Sequence, residues 1–444
     1  MTNRRAPIAP FEIVLASLLI FTAYSVAQAA TLTTLHSFTG APDGNLPNGG
    51  VVLGPGGVLY GTTMYGGIDC GEGCFRSGTV FSLTPPASPG GGSWSESVYS
   101  FPFLRAGETP QASVTLSRGG AVLYGTTVFG GDCAGIASGG TVFELAPPSP
   151  GASWQESVLL SACPESSVDG GPISSPVVGA GGVLYAASIG GAIFSLSPPA
   201  SAGGQWTESI LYTFTGTDVF EPNAVAIGAS GALYGTTQHS GAASGPNGTV
   251  YSLTPPGTPG GSWTITTLHS FTGSDADGAN PQAGVLIGSG GVLYGTTAFG
   301  GTTAGLCSSF DINGCGTVYS LIPPGSAGGG KYTILYRFTG PGNGDGSGPA
   351  GGLVGFNGKL YGNTLRGGTG SCSAVDAGCG TIFSLTPPAS PGGAWTETVV
   401  YSFTGGSDGA SPSGSLAFDS NGVLYGTTQA GGASGYGTVF SLTP

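Results

Sequence analysis

The sequence predicts an all-β protein: a seven-bladed β-propeller of four-stranded antiparallel blades, its ring closed by the N-terminal strand joining the last blade. Three observations carry this expectation. The phrase Leu-Tyr-Gly-Thr-Thr begins at Leu59, Leu123, Leu233, Leu293 and Leu424, with near-copies at Leu184 (LYAAS) and Leu360 (LYGNT). Short apolar runs bounded by glycine and proline turns recur in the same order around every copy. The N-terminus carries one outer-strand run too many, and the C-terminus stops one run too early.

Each unit reads as strands A to D. Strand A is a run such as Val51-Val52-Leu53, followed by a turn of the GPGG, GSGG or DSNG kind. Strand B is the LYGTT phrase. Strand C is Gly78-Thr79-Val80-Phe81-Ser82-Leu83, echoed at Gly140, Gly248, Gly316, Gly380 and Gly437. Strand D follows a Pro-Pro or Pro-Gly loop and opens at Trp94, Trp154, Trp206, Trp263 and Trp395. All four have strand length and β-branched or aromatic content, and no helical period competes with them. A lone four-stranded sheet with two apolar faces cannot hide them, whereas radial packing around an axis hides both. The run TLTTLHSFTG at 31–40 matches ITTLHSFTG at 265–273, a D strand, while the chain ends in a C strand. Ring closure uses that spare strand; a linear β-solenoid would not need it. Residues 30–444 thus form one domain, with blades over about 49–101, 111–161, 172–214, 222–271, 281–338, 349–403, and 412–444 completed by 31–39.

Composition narrows the function classes. The 88 glycines and 33 prolines among 444 residues would indicate a low-complexity chain if they lacked a period. Only 7% of residues are charged, the net charge is −13, and the only lysines are Lys331 and Lys359. Nucleic acid is excluded as a partner, because phosphate neutralisation needs clustered Lys and Arg. Residues 1–29 read as an export signal: Arg4 and Arg5, an apolar run over 13–26, then Ala27-Gln28-Ala29 as a cleavage site. After its removal no membrane insertion is expected, and the protein is read as a secreted or extracellular monomer. The eight cysteines favour disulfides in that compartment. Cys70 and Cys74, Cys307 and Cys315, and Cys372 and Cys379 are neighbours in sequence, leaving Cys133 and Cys163.

The repeated motifs LYGTT-x-x-GG, G-T-[VI]-[FY]-S-L, L-[YH]-S-F-T-G and D-G-x-x-P resemble those of the GloVer-type, or choice-of-anchor, tandem-repeat proteins. The resemblance covers essentially the whole mature chain. It implies a surface or secreted protein, and adds location rather than chemistry. The chain ends inside a repeat with no sorting tail, so a released protein is expected rather than an anchored one.

Candidate sites lie on the face shared by the D–A and B–C loops. The B–C loops are long and variable and hold most of the cysteines, which suits a recognition surface. In blade 3 this loop shrinks, which explains the 49-residue spacing between Tyr185 and Tyr234. The D–A loops place an acidic residue shortly before a proline: Asp43, Asp169, Asp277, Asp345 and Asp408, each followed by Gly, with Glu108 and Glu221 near the matching place. Two readings stand side by side. These carboxylates could ring the channel mouth and hold Ca²⁺ or a cationic ligand, with Asp275 and Asp277 as the leading metal candidates. Or Asp-Gly could simply be turn chemistry. No other cofactor is implied. His36 and His269 replace the tyrosines of other D strands and read as packed repeat residues. His239 is left as the one candidate general base. The tryptophans, equally placed in five blades, read as packing rather than sugar stacking. Together these features predict a non-catalytic binding module for a glycan or a surface protein. The alternatives are a polysaccharide hydrolase or lyase using channel-mouth carboxylates, and a structural matrix component.

Overall fold

The computed structural model describes residues 30–444 apart from 68–76, 89–91, 103–106, 133–138, 149–151, 164–170, 202, 215–219, 240–246, 259, 304–306, 308–313, 326–328, 373–377 and 391. Seven antiparallel sheets of four or five strands form a ring, one per repeat. Blade 1 shows the plan. Val52–Leu53, Leu59–Thr63, Thr79–Thr84 and Ser95–Ser100 pair in chain order from the axis outward. Blades 4, 6 and 7 add a short strand (Phe220–Pro222, Gly346–Pro349, Ala410–Pro412) that prolongs the pairing of strand B. Among the described residues no helix is long and apolar enough to cross a membrane.

Every residue of the LYGTT phrase has a distinct physical task. Leu59 is fully buried in the core between blades. Tyr60 meets Trp154 of the next blade edge-on, with ring centroids 6.5 Å apart. The same pairing joins Tyr124 to Trp206, Tyr185 to Trp263, Tyr294 to Trp395 and Tyr425 to Trp94. The tryptophans are therefore blade-to-blade packing, as their even placement predicts. Gly61 lies under the Phe81 ring of strand C, where a Cβ would stand 2.4 Å from Cζ. The first threonine, Thr62, donates to the carbonyl of Ala112 in the next blade (2.9 Å). Thr126, Thr236 and Thr427 repeat that bond to Ser174, Ala283 and Gly49, and Asn363 makes it to Gly414. The second threonine shares a hydroxyl bond with the first residue of strand C, as in Thr63 with Thr79 (2.7 Å). Blade 3, which reads LYAAS, places Ser188 there and turns directly through Gly191 into Ala192–Ser197.

Seven clusters of buried side chains fill the spaces between successive blades, and the last of them settles the topology. Phe38, Val51, Leu59, Phe81, Leu83, Tyr425 and Val439 pack together across blades 7 and 1. Beside them Thr31–Ser37 pairs antiparallel with Thr438–Thr443, from Thr31 opposite Thr443 to Ser37 opposite Thr438. The spare N-terminal strand is the outer strand of blade 7, and the ring is closed.

Candidate functional site

The D–A loops decide what faces the axis. The residue before each loop proline is left-handed: Leu46 (φ 59°), Thr109 (55°), Gly171 (77°), Glu221 (62°), Asn280 (54°), Gly348 (65°) and Ser411 (55°). For a residue with a Cβ this conformation costs about 1–2 kcal/mol, so its adoption by five non-glycine residues marks a geometry the ring enforces. The turn divides the loop. Ahead of it, Asp43, Asp277, Asp345 and Asp408 stay beside the outer strand, and the residues after the proline reach the axis.

The outer side is a set of clasps. Asp277 accepts from the Thr272 N–H (2.9 Å) and the Gly278 N–H (2.8 Å), and lies 3.0 Å from Nε2 of His269 in strand D. Asp345 accepts from the Tyr336 hydroxyl (2.8 Å), the Thr339 N–H (2.8 Å) and hydroxyl (2.9 Å), and the Gly346 N–H (2.6 Å). Asp408 repeats the pattern with Tyr401 and Thr404, and Asp43 with His36 and Thr39. Burial opposes the charge of Asp277, but the bonds from His269, Gly278 and Thr272 outweigh it and hold the carboxyl below its ordinary value. These four aspartates pin each D–A loop to its own D strand. Asp169 lies outside the described residues.

A second acidic row faces the clasps from the neighbouring blade. Glu96, Glu156 and Glu397 occupy matching places in strand D, opposite Leu83, Leu145 and Leu385. Burial, opposed by the bond from Tyr99, pushes Glu156 up to about 7. Burial and the nearby Asp345 charge push Glu397 up to about 7 as well. Tyr99 donates to Glu156 (2.8 Å), tying blade 1 to blade 2. In the 4/5 junction Tyr332 takes the glutamate's place and stacks on His269, with centroids 3.9 Å apart and planes 3° apart. His36, Asp43 and Glu96 converge at the 7/1 junction, with ligand-capable atoms within 4.8 Å of one another.

The axial side is a cavity of about 560 Å³ to which all seven blades contribute. Its wall is the residues that follow the prolines, among them Asn48, Gln111, Ser174, Asn223, Gln282 and Ser413, joined by Gln238 and Gln429 from the ends of strands B. None of Asp43, Asp277, Asp345 and Asp408 lines it, and no ionisable side chain does so among the described residues. Of the two readings of these acids, turn chemistry describes Asp43, Asp277, Asp345 and Asp408, and a ring at the channel mouth does not. The reason is the left-handed turn, which keeps the acids on the strand D side. In the sequence the axial residues are marked by the position after the repeated proline, not by the acid before it. Several amides are mutually ordered, as where Asn223 donates to the Pro281 carbonyl (2.7 Å) and Gln238 to Asn223 Oδ1 (3.3 Å).

His239 ends strand Leu233–His239 opposite Phe220, and it is the neighbouring Gln238 that reaches the cavity. Asp275 and Asp277 turn to different partners: Asp275 accepts from the Thr303 hydroxyl (2.6 Å), and Asp277 faces His269. Cys307 is bonded to Cys315 and Cys372 to Cys379, as their spacing predicts. Cys163 is also disulfide-bonded, whereas Cys70, Cys74 and Cys133 lie outside the described residues.

The family model of the Gloeobacter/Verrucomicrobia repeat matches this chain over residues 186–375 and 300–444. No curated protein matches it in sequence.

Proposed function

The chain belongs to the Gloeobacter/Verrucomicrobia repeat family, and on that premise we propose that it is an exported, non-catalytic binding module whose ligand is a neutral glycan. The observation that carries this reading is the axial cavity of about 560 Å³ walled by amides, hydroxyls and backbone rather than by charge. Asn and Gln side chains offer both donors and acceptors, the pattern that sugar hydroxyls require, and concave sites with a few ordered polar groups are where small ligands bind. Glycosidic cleavage needs two carboxyl groups flanking the scissile bond. The carboxylates that could have served are engaged in clasps with Thr39, Thr272, Thr339 and Thr404.

Calorimetric titration with neutral oligosaccharides, alongside an assay for released reducing ends, tests the reading. Binding without cleavage is expected, with affinity falling at least about tenfold in Gln111→Leu with Gln282→Leu, since buried polar groups of a ligand left unpaired cost about 1–3 kcal/mol. Saccharide binding untouched by that double substitution would move the site off the axis. Absence of any saccharide binding would end the glycan reading.

A further inference from the structure

We propose that His36, Asp43 and Glu96 form a binding site for a divalent ion of the zinc class, which locks the seam where the ring closes. His36 and Asp43 pair locally on the outer side of blade 7, and Glu96 reaches them from blade 1. His36 lies on the N-terminal strand, Asp43 in the loop after it, and Glu96 on the outer strand of blade 1. His36 Nε2 is 3.0 Å from Asp43 Oδ1 and 3.3 Å from Glu96 Oε1. A tetrahedral ion with bonds of about 2.0 Å sets its ligand atoms about 3.3 Å apart, so the atoms already stand near the required separations.

The surrounding bonds leave the correct atoms for a metal. Asp43 Oδ2 is held by the Thr39 N–H (2.7 Å) and hydroxyl (2.8 Å), which orients the carboxylate and leaves Oδ1 pointing to the cluster. Such outer bonds are how ligating carboxylates are fixed. Glu96 Oε1 is buried without a hydrogen-bond partner, although His36 Nε2 lies 3.3 Å away. One imidazole nitrogen cannot serve two carboxylates with one proton; a cation can. Two carboxylates and a neutral imidazole balance a 2+ charge, and the imidazole selects Zn²⁺-like ions over Ca²⁺. The side chains of His36, Asp43 and Glu96 are 20%, 13% and 21% exposed, which leaves room for water in the fourth position.

Two other junctions act as built-in controls. At the 4/5 junction the His269–Asp277 pair is present, but Tyr332 stacks on the ring where the glutamate would be. At the 5/6 junction Asp345 and Glu397 are present, but Tyr336 replaces the imidazole. Only the seam, among the described residues, joins all three groups. This inference concerns the seam alone and stands independently of what the axial cavity binds.

The test is thermal unfolding of the full chain, stripped with EDTA and then given Zn²⁺, together with visible absorption after Co²⁺ addition. At an ion concentration about 100-fold above Kd the melting temperature should rise by about 2–5 °C, and Co²⁺ should give the intense bands of a four-coordinate site. His36→Tyr copies the residue at the 5/6 junction, so it should melt like the EDTA-treated wild type and show neither effect. Glu96→Gln should weaken both and serves if His36→Tyr fails to fold. His269→Tyr should keep both. A Zn²⁺ shift that survives His36→Tyr and Glu96→Gln, or no shift up to 1 mM Zn²⁺ (about the weakest specific affinity worth naming), overturns the proposal.

Discussion

Replacing Asp345 by alanine isolates the role of the D–A carboxylates. The side chain is 6% exposed and accepts four hydrogen bonds of 2.6–2.9 Å, from Tyr336, Thr339 (twice) and Gly346. A bond to a charged acceptor contributes about 1.5–3 kcal/mol net. The four share one carboxylate and do not add independently. Asp345→Ala should therefore cost about 3–4 kcal/mol, near the upper end for a single substitution. Asp345→Asn keeps one oxygen acceptor but turns an NH₂ group toward donors, and should cost about half as much. Asp275→Ala, which removes one exposed bond from Thr303, should stay within about 1 kcal/mol. Urea unfolding followed by near-ultraviolet circular dichroism measures the series, each protein with Ca²⁺ and with EDTA. The clasp account requires the Asp345→Ala loss to be the same in both buffers. A loss below about 1 kcal/mol would refute it. So would a Ca²⁺-dependent stabilisation of the wild type that Asp345→Ala abolishes, because the carboxylate would then be a metal ligand rather than a loop clasp.

Three further outcomes are expected. Gly125→Ala would set a Cβ 2.3 Å from Phe143 Cζ, and the ring must move; overpacking of this kind should cost about 1–3 kcal/mol, read from the shift of the urea midpoint. Ser411→Gly removes the Cβ from a left-handed residue at φ 55° and should stabilise by about 1 kcal/mol; a destabilised variant would show that the Ser411 side chain holds the turn. The pH profile follows from the buried glutamates. Glu156 and Glu397 are raised to about 7 from 4.5. Between those values the folded state binds more protons than the unfolded chain. Their contribution to stability is therefore greatest below about pH 4.5 and is lost as pH rises through about 7. Glu397→Gln should flatten the fall in melting temperature between pH 5 and 8, and an unchanged slope would contradict the assignment of Glu397 to that transition.

What the sequence determined by itself is the repeat and everything local to it. LYGTT, the strand C motif and the tryptophan-led strand D each satisfy their own packing within one blade or against the next, so their types and spacing are legible in order. Ring closure was legible for the same reason: the 31–40 run is a copy of a strand, and a strand needs a partner. The disulfides Cys307–Cys315 and Cys372–Cys379 follow from spacing within one loop. Where the side chains of the D–A loops point is a different kind of information. Asp277 and Gln282 are five residues apart, yet one is pinned to strand D and the other lines the axial cavity, because the left-handed backbone at Asn280 (φ 54°) reverses the chain between them. Nothing in residue type announces that reversal in Leu46, Thr109 or Glu221, which are poor choices for it taken alone. Only seven blades packed around one axis make the strained turn worthwhile. The cavity wall and the meeting of His36 with Glu96 are products of the tertiary structure, because both need neighbouring blades packed around one axis and neither is made within a single blade.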